Sequence, residues 1–270
     1  MLLYPTAQWD PLGKQTEPAM KAHDFACVHT MAGYFDGTDA MFHREGYGGL
    51  ESHFGLRHDG FMKQWQDCMF EADANFNGNW HVVSLETQDK GGPFPVWVKA
   101  EDIPPWTPAQ FEAIVKWLLW ITDIRTHANC PSTWKCRGSG IPLALVPDTK
   151  PGRRGCAYHR QGIDPWRVDG GEQWSAGSGK PCPGNARVQQ YGHAITEAQR
   201  RTRPPIESLG DTMFMFRNRE KASPTWFCDA GKKVGLNEAT DVPTFTNQGV
   251  VTFQLDDDTY QKFINTYPGS

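Results

Sequence analysis

Three side chains in this sequence have the chemistry of zinc ligands. His29 lies at the end of the apolar run FACV in FACVHT, His159 follows the apolar segment CAY, and Cys182 lies between two prolines in GKPCPG. A hydrolytic zinc site uses three such nitrogen or sulfur ligands and leaves one position for water. The set predicts a metal centre, although each residue alone has an ordinary alternative. A histidine at a strand end is often structural, and Cys-Pro-Gly is often a turn.

Two further residues would complete a hydrolytic site. Glu86 projects from the strand-like run HVVSLET, where burying a carboxylate is costly unless it has a partner. It could accept a proton from an attacking water, or it could face solvent at the strand end. Lys180 precedes Cys182 by two positions, so an extended chain would turn both side chains toward one centre. Its ammonium could stabilise an oxyanion; the alternative is an exposed loop lysine.

Other histidines compete for the metal. His53, in the strand-like run SHFGL, is expected to pack or to make a hydrogen bond near the site rather than to bind the ion. We expect His23 and His43 to be exposed, because they lie in an irregular lead-in and in a loop. The further candidates are His58, His81 and His127.

Two tryptophans occupy the long Gly- and Ser-rich segment 163–181, which we expect to be a surface loop. Trp166 and Trp174 could stack on sugars, or they could pin the loop to the core. The sequence leaves both roles open.

The elements that must position these residues follow from hydrophobic periodicity and turn signals. Strands are predicted at 25–30 and 81–87. The turn Asp59-Gly60 predicts a hairpin between 52–56 and 61–66. Thr107 and Pro108 suit the start of a helix over 107–121. A second helix is predicted over 185–195, directly after Cys182-Pro183-Gly184.

A change of pattern near residue 200 divides the chain. We predict one domain over 1–199, with its core at about 20–195, and a linker over 200–211, where charges flank two adjacent prolines. Residues 212–270 are predicted to form a small α+β module. Its expected strands are 213–216, 225–228, 233–236 and 250–255, followed by a short helix over 256–265.

Composition excludes some classes of protein. The 270 residues carry a formal net charge of −4 without a long basic run, which disfavours a dedicated nucleic-acid binder. No signal peptide and no apolar run of roughly 18 residues is visible. The seven cysteines are an odd number, and Cys130 and Cys136 do not form a C-x-x-C pair. Most of the cysteines are expected to be small core residues, with at least one available for chemistry.

Five motifs, in order, carry a resemblance to a known family. They are CVHTMAG, GLESHFGLRHDG, ADANFNGNWHVVSLET, WTPAQ, and YHRQG followed by GKPCPG. Over roughly residues 20–195 the chain resembles the type-2 N-acetylmuramoyl-L-alanine amidases. That family includes phage endolysins and is related to peptidoglycan-recognition proteins. The similarity is greatest to amidase domains of phages that infect actinobacteria.

The resemblance implies an α/β fold in which a central mixed sheet, flanked by helices, carries a Zn²⁺ ion in a surface cleft. It implies cleavage of the amide bond between N-acetylmuramic acid and the L-alanine of the stem peptide. By position, the metal ligands would be His29, His159 and Cys182. Glu86 matches the family's catalytic glutamate, and Lys180 matches the lysine that precedes Cys-Pro-Gly.

Two departures from the family pattern concern the site. Cys182 follows His159 by 23 positions, a longer interval than most of the family has, although relatives from actinobacterial phages share the longer form. Some relatives also have a histidine near the position of Asn75. Contact of Asn75 with substrate is therefore left open, with Asn79 as a residue that could brace the cleft.

The resemblance also implies a biological setting. We expect a bacteriolytic phage endolysin, made in the cytoplasm of the host bacterium and released to the cell wall by another factor. The alternatives are a virion-associated lysin that acts at entry and a non-catalytic peptidoglycan-binding protein. Cys182 favours the enzyme, because inactive recognition proteins typically lack this cysteine. The C-terminal module could bind cell wall, or it could have a structural or oligomerising role.

Overall fold

The chain divides into two compact units, Met1–Thr202 and Arg203–Ser270. The computed structural model describes residues 1–31, 33–89, 99–123, 125–126 and 140–202, together with the backbone of 214–218, 226–229, 232–235 and 252–255. Within these described residues, no helix is long and apolar enough to cross a membrane.

The first unit is built on a six-stranded sheet with the order β1-β4-β3-β5-β2-β6. The pairs β2–β5, β2–β6, β3–β5 and β1–β4 are parallel, and β3–β4 is antiparallel. The predicted mixed sheet and the predicted hairpin are therefore confirmed. The strands are β1 Gln8–Trp9, β2 Phe25–Met31, β3 Phe54–Leu56, β4 Met62–Gln64, β5 Val82–Gln88 and β6 Gly155–Tyr158.

Strand β2 lies inside the sheet, and all seven of its residues are buried. A strand with parallel partners on both sides and covered faces is expected to be apolar throughout. The buried His29 interrupts that pattern, and the register places it opposite Glu86 of β5. The two polar residues thus meet at the carboxyl ends of neighbouring parallel strands.

Three α-helices of the described ranges cover the sheet: α1 Phe35–Glu45, α2 Pro108–Ile121 and α3 Asn185–Thr202. Helix α2 begins as predicted, because the Thr107 hydroxyl accepts the Gln110 N–H at 3.1 Å and the Gln110 amide oxygen accepts the Thr107 N–H at 3.1 Å. Apolar residues of α2 and α3 pack against one face of the sheet. The largest buried cluster joins Ala26, Val28, Val83 and Leu85 of the sheet to Ile114, Trp117, Leu118, Tyr191 and Ile195 of the helices.

Helix α3 is longer than its predicted range. It continues to Thr202, so the first three residues of the predicted linker 200–211 are helical. Arg200 and Arg201 bind Glu197 one turn earlier, and Arg201 also binds Glu112 of α2 at 2.7 Å. These ion pairs hold the end of the helix in place. The rest of the predicted linker lies outside the described residues.

The second unit contains a four-stranded sheet with the order β10-β7-β8-β9. Its strands are β7 Phe214–Asn218, β8 Trp226–Asp229, β9 Lys232–Gly235 and β10 Thr252–Leu255. β7–β8 and β8–β9 are antiparallel, and β10–β7 is parallel. All four strands were predicted, with small differences in their ends. The predicted helix over 256–265 lies outside the described residues.

Candidate metal centre

The structure brings His29, His159 and Cys182 together. One potential ligand atom from each lies within 4.8 Å of those of the other two, and all three residues are buried. His29 belongs to β2, while His159 begins a short 3-10 helix directly after β6. Because β2 and β6 are parallel neighbours, their carboxyl ends meet at one edge of the sheet. The two imidazole ring centroids are 4.1 Å apart.

The hydrogen bonds of the two histidines fix which nitrogen can bind a metal. His29 Nε2 lies 3.2 Å from Asn75 Oδ1, and His159 Nε2 lies 2.9 Å from the backbone oxygen of Trp174. Both partners accept hydrogen bonds, so each Nε2 carries the proton and each Nδ1 keeps its lone pair. Burial lowers the pKa of both imidazoles, that of His159 to about 4. Both rings are therefore neutral at neutral pH, as metal ligands must be.

A hydrogen bond from the backbone of β2 holds Cys182 at this edge of the sheet. The Thr30 N–H donates to Cys182 Sγ at 3.2 Å, directly beside His29 in the chain. A backbone N–H directed at sulfur stabilises negative charge there. Burial and the neighbouring Glu86 carboxylate raise the pKa of the Cys182 thiol. Binding of a metal by this residue must therefore release a proton.

Glu86 faces the same centre from β5. Its Oε1 lies 3.6 Å from His29 Nδ1, and its Oε2 is buried without a hydrogen-bond partner among the described residues. Burial raises the pKa of Glu86 to about 8, and the positive charges of Arg187 and Lys180 act in the opposite direction. A carboxyl group with a pKa in this range can exchange a proton near neutral pH, and a cation bound beside it would favour the carboxylate form that accepts one.

Lys180 lies at the surface of the loop that leads to Cys182, and its side chain is exposed. Burial is the largest cause of the pKa shifts of His29, His159, Glu86 and Cys182, and the positive charge of Lys180 adds a smaller effect that favours a lower pKa in each. The lysine therefore lies within electrostatic reach of the whole centre. From this position it can favour negative charge that develops there.

The donor set fits zinc. Two neutral imidazoles and one thiolate are the nitrogen and sulfur ligands of catalytic zinc sites, which keep a further position open. The histidines are held by an asparagine side chain and a backbone carbonyl, as is usual for metal-binding histidines. The unpaired oxygen of Glu86 adds an acceptor beside this set.

The long loop 163–181 is fixed to the sheet through Glu172. The carboxylate of this residue accepts hydrogen bonds from His81 Nε2 at 2.7 Å and from Trp174 Nε1 at 2.9 Å. Trp174 is 1% exposed and packs on Phe25 with ring centroids 5.3 Å apart. Trp174 therefore fixes the loop to the core and is not available to stack on a sugar. Trp166 is 40% exposed, with the Arg160 guanidinium 5.6 Å from its ring, and can still meet a ligand.

Arg187, a buried arginine of α3, is a further residue at this edge that was not predicted from the sequence. Its guanidinium donates to the Thr87 backbone oxygen at 3.0 Å, to the Gln88 backbone oxygen at 2.9 Å and to the Thr30 hydroxyl. It thereby ties α3 to the ends of β2 and β5, next to His29 and Glu86. Helical spacing could have revealed it, because Arg187 shares its buried face with Tyr191, Ala194, Ile195 and Ala198.

The other histidines that the structure describes do not belong to the group of three. His53 is buried and contacts Ser84 Oγ at 3.1 Å and the Phe70 backbone oxygen at 3.0 Å, in line with its expected role. His43 is exposed, as predicted. The prediction for His23 was wrong: it is fully buried, with Nε2 2.5 Å from the Cys68 backbone oxygen, because the chain turns inward before β2. His58 and His81 bind other partners, and His127 lies outside the described residues.

Asn75 and Asn79 support the centre from a 3-10 helix, Asp73–Gly78, and the residue that follows it. Asn75 is fully buried and its amide oxygen meets His29. The Asn79 side chain accepts the Asn75 N–H at 2.8 Å. Asn79 therefore braces the segment, as the sequence had suggested.

Several solved structures are similar to this chain. The N-acetylmuramoyl-L-alanine amidase LysC from Clostridium intestinale has 11% identity and a TM-score of 0.44, covering 72% of this chain and 99% of its own. The hydrolase AmiA from Staphylococcus aureus has 12% identity and a TM-score of 0.45, covering 72% and 83%. AmpD has 14% identity and a TM-score of 0.41, covering 72% and 96%. No protein-family model and no curated protein matches the sequence.

Proposed function

We propose that residues 1–202 form a zinc-dependent peptidoglycan hydrolase that cleaves the amide bond between N-acetylmuramic acid and L-alanine. The observation that carries the proposal is the convergence of His29, His159 and Cys182, with one ligand atom of each within 4.8 Å of the others. The choice of bond follows from the five ordered motifs that resemble the type-2 amidases.

The roles of the residues follow from their positions. A zinc ion held by this set would supply a Lewis acid that activates water and polarises a carbonyl oxygen. Glu86 would accept a proton from the attacking water on its unpaired Oε2 and return it to the leaving amine. Lys180 would favour the developing oxyanion through its charge. Asn75 and Trp174 would keep both histidines in the tautomer that presents Nδ1.

A non-catalytic peptidoglycan-binding protein is the alternative from another class. Such a protein would need a surface that binds peptidoglycan, but neither a complete set of metal ligands nor a proton acceptor. Cys182, held by the Thr30 N–H, and the buried, unpaired Oε2 of Glu86 favour the enzyme, because neither is required for binding alone.

Digestion of purified peptidoglycan with mass analysis of the products tests the activity. New L-alanine N-termini with intact glycan strands are expected. New reducing ends would instead identify a glycosidase, and unchanged peptidoglycan would favour the binding protein.

We also propose the phage endolysin role, with release to the wall by another factor, and a wall-binding role for Arg203–Ser270. A second attachment point would raise the local concentration of the enzyme on its substrate. A virion-associated lysin would use the same chemistry, so the stage of infection at which the protein is needed separates the two roles.

A further inference from the structure

A second group of potential ligands lies outside the proposed zinc centre. Glu17 comes from the N-terminal lead-in, Glu51 precedes β3, and Asp73 begins the 3-10 helix Asp73–Gly78. One carboxylate oxygen of each lies within 4.8 Å of those of the other two. Three segments that are distant in sequence thus bring three acidic groups to one point.

Glu51 is the residue that makes this group unusual. Its side chain is fully buried, and its Oε1 accepts the Asp73 N–H at 3.3 Å. Its Oε2 is buried with no hydrogen-bond partner among the described residues. An unpaired buried carboxylate oxygen is costly. Glu51 therefore calls for a positive partner or a proton.

Within the described part of the chain, the charges that act on Glu51 do not supply that partner. Burial raises the pKa of Glu51 to about 8, and the charges of Asp73 and Glu17, which have the same sign as its carboxylate, act in the same direction. Burial also raises the pKa of Glu17 and of Asp73. A bound cation would offset the repulsion among all three groups.

We propose that Glu17, Glu51 and Asp73 bind one divalent cation, and that the ion is calcium. The three groups offer only oxygen, which calcium prefers and zinc does not. Calcium takes oxygens at 2.3–2.6 Å, so two ligands of one ion lie at most about 5 Å apart, which accommodates the observed spacing. Magnesium more often uses one or two carboxylates and keeps several waters.

The acidic group Asp10, Asp39 and His43 shows the contrast. Here the Lys63 ammonium donates to Asp10 Oδ2 and to Asp39 Oδ2 at 2.8 Å each. The lysine already provides the positive charge. This group therefore gives a control with similar chemistry and no need for an ion.

The proposed calcium site connects to His29 through three contacts. The Asn79 side chain donates to Asp73 Oδ1 at 2.8 Å and accepts the Asn75 N–H at 2.8 Å, while Asn75 Oδ1 lies 3.2 Å from His29 Nε2. An ion on Asp73 would stiffen the segment that orients His29. This consequence rests on the proposed function, whereas calcium binding itself does not.

Equilibrium dialysis of the full chain against calcium, with zinc kept saturating and magnesium in parallel, tests the proposal. We expect one bound calcium per chain, retained by the control variant Asp10→Asn. We expect Glu51→Gln, which keeps the size of the side chain, to weaken calcium binding at least tenfold. Glu17→Gln removes a half-buried ligand and should also weaken binding; it decides the matter if Glu51→Gln does not fold.

A thermal denaturation series completes the test. Calcium should raise the Tm of the wild type and of Asp10→Asn, and have little effect on Glu51→Gln. Absence of bound calcium in the wild type would overturn the proposal. Calcium binding as tight as in the wild type by both Glu17→Gln and Glu51→Gln would overturn it as well. If calcium does not change the Tm of the wild type, and Glu51→Gln has the same Tm as the wild type, then Glu51 is simply protonated and binds no ion. None of these readouts depends on peptidoglycan cleavage.

Discussion

The backbone N–H of Thr30 lies 3.2 Å from the sulfur of Cys182, across 152 positions of the sequence. This contact joins the loop that carries Cys182 to the end of β2, where His29 is found. It explains how the long interval between His159 and Cys182 is compatible with one centre. The intervening loop leaves the sheet, is held by Glu172, and returns to the strand next to β6.

Replacement of Cys182 by alanine is expected to abolish stoichiometric zinc binding and peptidoglycan cleavage. The change removes one of three ligands and leaves the two imidazoles. Metal analysis of the purified variant checks this. Cys156→Ala, which removes another buried thiol, should retain one zinc per chain. Full activity of a metal-free Cys182→Ala protein would disprove the proposed centre.

The variant Glu86→Gln is expected to keep zinc and to lose at least about 10²-fold in turnover. Glutamine has nearly the same shape but cannot accept the proton. Steady-state hydrolysis of a soluble muropeptide, together with metal analysis, checks this. The exposed Glu45→Gln is the control and should match the wild type. A rate within a few-fold of wild type would exclude Glu86 as the proton acceptor.

The variant Arg187→Met lacks the buried guanidinium, and its free energy of unfolding is expected to be lower than that of the wild type by about 3 kcal/mol or more. Several buried acceptors at the ends of β2 and β5 would lose their donor. Urea denaturation measures the change. Arg153→Met removes an exposed guanidinium and should stay close to wild type. Near-normal stability of Arg187→Met would show that other donors replace it.

The contact between His81 and Glu172 predicts a pH-dependent part of the stability. His81 lies between Asp24 at 3.0 Å and Glu172 at 2.7 Å, and these hydrogen bonds raise its pKa against the opposing effect of burial. The contribution of protonated His81 to the free energy of unfolding is therefore complete below about pH 6.5, and it is lost as the pH rises through the folded-state pKa of His81. The pKa of Glu172 is lowered, chiefly by its hydrogen bond to His81, against the opposing effect of burial. Its contribution is lost as the pH falls below about 4.5.

Urea denaturation of the wild type and His81→Gln at several pH values checks this window. The difference in free energy of unfolding should be largest at about pH 5–6.5 and should shrink on either side. Arg154, which binds Asp24 at 3.1 Å, and Glu71 also face this group and are unchanged in both proteins. A difference that does not vary with pH would rule out the charged form of His81.

Removal of residues 203–270 is expected to reduce binding to purified cell walls while hydrolysis of a soluble muropeptide continues. Met1–Thr202 is a compact unit that contains all the proposed catalytic residues. Co-sedimentation with walls measures binding, and the full-length Cys182→Ala protein provides a control that binds without cleaving. Equal wall binding by the truncated chain would reject the targeting role.

The sequence by itself determined the features that depend on near neighbours. The Thr107 cap, the start of α2, the strand β2 and the hairpin β3–β4 follow from periodicity and turn chemistry within a few residues. The candidate metal ligands could also be predicted from the sequence, because imidazole and thiolate are the side-chain groups that zinc prefers. The prediction that His23 is exposed was wrong because its burial depends on a contact with Cys68, 45 positions further along the chain.

Only the tertiary structure decided how these parts converge. The parallel register of β2, β5 and β6 brings His29, Glu86 and His159 to one edge, and no local pattern encodes that alignment. The tautomers of His29 and His159 depend on Asn75 and on the Trp174 carbonyl. The group Glu17, Glu51 and Asp73 depends on three segments that are distant in the sequence. The burial of Arg187 depends on the two strand ends that it ties together. Such contacts form only when the whole sheet is assembled, because hydrogen bonds and charges act through space between residues that are distant in the sequence.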